Sequence, residues 1–72
     1  MSYNYSKLRG KVVEVYGTLG EFANAMNWSE RTNSLKMNGK VEWRQSEIVT
    51  ASKLLGIKSE DIDVYFFDVE VQ

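Results

Sequence analysis

Residues 18–39 read TLGEFANAMNWSERTNSLKMNG, and the fold of the whole chain turns on this stretch. Thr18 and Glu21 have the T-x-x-E spacing of a capping box, in which two side chains satisfy free N–H groups at a helix start. Leu19, Phe22, Ala23 and Met26 follow at i, i+3, i+4 and i+7, which is one apolar helical face. Asn27 falls where the chain must turn, and Asn tolerates the left-handed conformation better than most residues. Ser29 is a good N-cap for a second helix, and Asn38-Gly39 a good stop for it. Helices joined by so short a turn must cross, and Ala23 is small enough to let them approach. This is the spacing of a helix-turn-helix.

Outward from this unit, 72 residues make one domain, 1–72, near the lower size for an unassisted core. The chain has no Cys and no His, which removes disulfides, thiolate metal sites, the commonest general base and the commonest zinc ligand. No phosphate loop or evident carboxylate pair replaces them. Neither an enzyme nor a cofactor, metal or small-molecule substrate is expected. No apolar run reaches the length of a membrane span and no signal-peptide pattern opens the chain, so a cytoplasmic protein is expected. The net charge of −1 hides a division. Residues 1–58 carry all nine bases against five acids, a net of +4, whereas residues 59–72 carry five acids and no base. The two halves are either solvated surfaces of opposite sign or, in the first, a face for nucleic acid.

Upstream, Asn4 can cap a first helix with Tyr5, Leu8, Val12, Val15 and Tyr16 on one side, ended by Gly17. Residues 1–3 are expected to be loose. Gly10 marks close packing or is simply tolerated, at a cost of about 1 kcal/mol relative to Ala. Downstream, Trp43 is too large to leave in water. A fourth helix runs from Gln45 to Leu55, facing inward with Ile48, Ala51, Ser52 and Leu55, helped by Val49 and Leu54. Gly56 stops it, and Ile57 folds back in a Schellman contact. Ser59 starts a fifth helix, with Glu60 and Asp61 at the favourable end of its dipole. Ile62, Tyr65, Phe66 and Val69 keep helical spacing, while Phe67, Val69 and Val71 alternate with acids as a strand would. We read a helix to Phe66 and a short extended tail beyond it, serving as a cover for the core or as a dimerisation strand. The expected architecture is all-α, a compact bundle of about five short helices.

The second helix of a helix-turn-helix presents its leading side chains to its target. Here these are Trp28, Ser29, Glu30, Arg31, Thr32, Ser34 and Leu35. Arg31 suits guanine and Glu30 cytosine N4, while Ser29, Thr32 or Ser34 can reach phosphate. Lys36, Lys40 and Arg44 are candidate phosphate contacts. Against DNA, Glu30 repels phosphate. If Asn33 and Met37 face the core, Leu35 faces out, where it suits a protein groove or packs on Trp28 or Trp43. Asn33 occupies a core position at a cost of about 1–3 kcal/mol unless it is hydrogen-bonded.

The stretches YNYSKLRGKVVEVYGT, FANAMNWSERTNSLKMNGK and EWRQSEIVTASKLLGI, with the trailing IDVYFF, resemble small helix-turn-helix regulators of temperate phages of Gram-positive bacteria. These are the Cro-like and modulator-of-repression proteins, and the resemblance spans nearly the whole chain. Departures are Asn27 where Gly is commoner, Trp28 for Val or Ile, and Asn33 for an aliphatic residue. The resemblance implies a role in the lytic–lysogenic switch inside the bacterial host. A modulator of repression would bind the N-terminal DNA-binding domain of the phage repressor. A Cro-like protein would instead occupy operator DNA. The acidic balance and Leu35 favour the repressor as partner.

Overall fold

In the computed structural model, which describes residues 3–69, five α-helices follow one another: α1 (Ser6–Tyr16), α2 (Leu19–Ala25), α3 (Glu30–Met37), α4 (Gln45–Leu55) and α5 (Ile62–Phe66). A 3-10 turn, Ser59–Asp61, leads into α5, so the expected fifth helix begins with a tighter turn. The all-α bundle is as expected. The only β pairing among the described residues is an isolated antiparallel bridge between Tyr3 and Val69.

Local chemistry explains most boundaries. Thr18 Oγ1 accepts the N–H of Glu21 at 3.2 Å, which forms one half of the anticipated capping box. Asn27 takes φ +61°, and the Trp28 N–H reaches back to Ala23 O at 2.8 Å, closing α2 as a Schellman turn. Ser29 Oγ accepts the Thr32 N–H at 3.1 Å and starts α3. Gly39, at φ +73°, ends it, and a Cβ there would also lie 3.6 Å from the Tyr5 ring. Gly56 (φ +69°) stops α4, with the Ile57 N–H on Ser52 O at 2.9 Å. At the start of α4, Glu47 Oε1 accepts the Arg44 N–H at 2.8 Å. For α1 the N-cap position is Tyr5, and Asn4 acts from one residue earlier, its Oδ1 accepting the Ser6 N–H at 2.9 Å.

The core joins Leu8 and Val12 of α1, Phe22 of α2, Met37 of α3, Ala51 and Leu55 of α4, and Phe66 of α5, with Tyr5 and Ile57 from the connections. Nine aromatic residues serve so short a chain, and most of them touch in sequence. The path runs from Tyr16 to Phe22, Trp28, Trp43 and Phe66, with Trp43 also against Tyr5 and the central centroids 5.1 Å apart. Such tilted and edge-to-face pairs each add about 0.5–1.5 kcal/mol beyond burial. Trp43 is half-buried, its indole N–H donating to Lys36 O at 3.1 Å.

Two expected core assignments and one expected loose end are corrected. Val15 and Val49 are exposed, each off the inner stripe of its helix, which Leu8 and Val12 fill in α1 and Ala51, Ser52 and Leu55 fill in α4. Tyr3 is not loose: it pairs with Val69, and its ring meets Phe67 edge-on at 5.7 Å. The tail beyond α5 is therefore extended and returns along the N-terminal segment, Asn4 donating to Asp68 O at 2.6 Å. Residues 1–2 and 70–72, including Val71 of the alternating pattern, lie outside the described residues. Gly10 is exposed with open space around it, so it marks no close approach.

Candidate partner-binding face

Eight residues form α3, and its inward stripe is Asn33, Lys36 and Met37. Asn33 and Met37 face the core as the spacing requires, but Lys36 joins them. Its ammonium meets Glu47 Oε1 at 2.6 Å and Glu42 O at 3.3 Å, and lies 5.3 Å from the centre of the Trp28 ring. Lys36 is 6 % exposed, so it is withdrawn from the candidate phosphate contacts. A charge so placed is neutralised by its carboxylate and further stabilised by the face of the Trp28 ring. Burial by itself raises the pKa of Glu47. The Lys36 hydrogen bond, the Arg44 N–H and the charges of both residues outweigh burial and hold the carboxyl below its ordinary value. The signal in the sequence was the i+3 spacing of Lys36 from Asn33.

Asn33 is hydrogen-bonded as its burial demands, its Nδ2 donating to Leu19 O at 3.2 Å. Its Oδ1 is buried and accepts from no group among the described residues. Trp28 is half-buried, its ring packed between Phe22 and Trp43. Leu35 is half-buried rather than fully exposed, and stands outside the aromatic core cluster.

Charge and hydrogen-bonding capacity on the outer side of α3 are concentrated in two residues. Ser29 and Thr32 engage each other, the Ser29 hydroxyl donating to Thr32 Oγ1 at 3.0 Å. Ser34 Oγ accepts from Asn38 Nδ2 at 3.3 Å. Glu30 and Arg31 are exposed and form no ion pair among the described residues. Lys40 and Arg44 are exposed in the connection that follows. The three bases of α1 each have a partner within the chain. Lys7 lies 3.9 Å from Asp68, and Lys11 lies 3.6 Å from Glu14. Arg9 donates to Asn38 Oδ1 at 2.9 Å and to Met37 O at 3.3 Å, capping the end of α3 from α1. Nothing in the sequence distinguished Arg9 from Lys7 or Lys11. Only the crossing of α1 past α3 selects it.

Two concavities bear on this face, of which the second includes α3. One, about 330 Å³, is aromatic and lies beside Tyr5, Trp43, Phe66 and Phe67. The other, about 430 Å³, lies between α1, α2 and α3 and is lined by Arg9, Leu19, Gly20, Glu30 and Asn33 among others. Among the described residues no group of His, Cys, Asp and Glu side chains could hold a metal ion. No helix among them is long and apolar enough to cross a membrane.

The chain is similar, with 50% identity and a TM-score of 0.83, to the solution structure of the modulator of repression of the temperate bacteriophage TP901-1 from Lactococcus lactis. The match covers 100% of this chain and 97% of that one. The chain belongs to the phage modulator-of-repression family. Residues 1–69 also match the family described as "Protein of unknown function (DUF739)". No curated protein matches the chain. The similar protein is itself a regulatory protein of a temperate bacteriophage.

Proposed function

We propose that this protein is an antirepressor that binds the N-terminal DNA-binding domain of its phage repressor, lowers operator occupancy and so favours lytic growth in the cytoplasm of the bacterial host. The observation that carries the reading is end-to-end likeness, at 50% identity, to a protein named as a modulator of repression. The chemistry of α3 supports it. With Lys36 spent on Glu47, the outer side of the helix offers one acid and one base, Glu30 and Arg31, beside a partly covered Leu35. A mixed pair next to an apolar anchor suits a protein surface better than a phosphate backbone. The repressor domain must be basic where it meets DNA, so Glu30 would orient it and speed its approach. Ser29, Thr32 and Ser34 form the rim.

Isothermal calorimetry with the repressor N-terminal domain tests this. Glu30→Arg and Leu35→Asp should each weaken binding at least about tenfold with the helical circular dichroism unchanged. Unaltered affinity in both variants would sink the assignment. A second reading, direct operator binding in the manner of Cro, draws on the exposed Arg31, Lys40 and Arg44. It requires the protein alone to retard a phage promoter fragment, with affinity falling steeply as salt rises. Retardation or release seen only in the presence of the repressor decides for the first reading.

A further inference from the structure

We propose that the groove between α1, α2 and α3 is a receptor for a single arginine side chain of the partner. This rests on the reading above, that the partner is a DNA-binding protein with arginines on its nucleic-acid face. Three observations converge on the groove. First, the buried Oδ1 of Asn33 lacks a donor among the described residues. The amide is oriented by its Nδ2 bond to Leu19 O, so the acceptor cannot exchange places with the donor. Second, Glu30 lies three residues earlier on the same helix, also lines the groove, and forms no ion pair among the described residues. Third, the wall contributed by α2 is Leu19 and Gly20, and a Cβ on Gly20 would meet nothing closer than Thr18 Oγ1 at 3.9 Å. Gly20 thus leaves room on that wall for a larger side chain.

These groups match one chemistry. A guanidinium offers several N–H donors in a planar fork, enough to meet the Glu30 carboxylate and the Asn33 carbonyl together. Its aliphatic stem would lie along Leu19 and Met37. Arg9 does not contest the site. Its guanidinium is held at the far end of α3 by Asn38 Oδ1 and Met37 O, about 10 Å along the helix from Glu30. The groove thus presents its acid at one end and its occupied base at the other. A lysine would reach the same acid, but its ammonium lacks the planar fork that serves two separated acceptors.

Nitrogen-15 NMR titration of the full chain with N-acetyl-arginine methylamide tests the site without any repressor. The amides of Leu19, Gly20 and Asn33 should shift in the wild type. The shifts should be lost in Gly20→Leu, which plugs the opening at a helical position of ordinary φ, and in Glu30→Gln, which removes the charge. Shifts absent in the wild type, retained in Gly20→Leu, or equally large with N-acetyl-lysine methylamide would overturn the proposal. Calorimetry with the repressor N-terminal domain then tests its use: Gly20→Leu should bind at least about tenfold more weakly than wild type. Undiminished binding by Gly20→Leu overturns arginine docking while leaving the antirepressor reading in place. If the wild type fails to bind the repressor at all, that reading falls, and the titration still decides the groove.

Discussion

Lys36 shows how one residue changes the meaning of a helix. A lysine near the end of an exposed-looking helix reads as a phosphate contact, yet here it lies under Trp28 and against Glu47. The pair ties α3 to α4 through two side chains that are both largely covered. Replacing Glu47 by Gln leaves a buried ammonium without its counter-charge and should cost about 2 kcal/mol at neutral pH. The pH dependence follows from the lowered pKa of Glu47 in the folded state. The ionised carboxyl's contribution is fully present above its unfolded value of about 4.3, and is lost as pH falls through the lower folded value. Thermal unfolding in a buffer series should therefore show wild type and Glu47→Gln converging below that pH. Parallel curves down to the acid limit would refute the assignment.

At the scale of the element, α1 contains a stabilising change that the sequence could only suggest. Gly10 sits mid-helix, exposed, with no atom within 4 Å of a built Cβ and no positive φ. Gly10→Ala should stabilise the protein by up to about 1 kcal/mol, which for a chain of this size raises Tm by about 4–8 °C. A fall in Tm would mean that the position has a neighbour the fold does not show. The helix boundaries, by contrast, were legible. Thr18, Asn27, Ser29, Gly39 and Gly56 each act through their own backbone or side chain within a few residues, so local sequence carries the whole signal.

Over the whole molecule, the two ends of the described chain close the fold together. The Cα radius of gyration is 11.3 Å, matching the value of about 11 Å expected for a compact unit of this length. The tail contributes through the Tyr3–Val69 bridge, the Asn4 to Asp68 hydrogen bond and the Tyr3–Phe67 ring contact. The Lys7–Asp68 ion pair adds little, because both side chains meet solvent. Ending the chain after Phe66 should lower Tm by about 4–8 °C, equivalent to about 1 kcal/mol at this size, with little loss of helical circular dichroism. Asp68→Asn should leave Tm almost unchanged. Equal effects from the two changes would place the stabilisation in the ion pair rather than in the clasp.

The sequence by itself determined the helices, their ends and the facing of most inner stripes, because caps, left-handed residues and 3.6-residue periodicity are local properties. It also carried the family, through stretches that run nearly the length of the chain. Tertiary structure alone decided which charges are free. Lys36 and Arg9 are spent inside the molecule, whereas Glu30 and Arg31 are not, and this depends on partners up to 29 positions away. It likewise decided that Asn33 is buried with one acceptor unanswered, since the groove exists only where three helices meet. Ionic and hydrogen-bond partners across the fold are set by how helices cross, and the order of residues along the chain does not encode those distances directly.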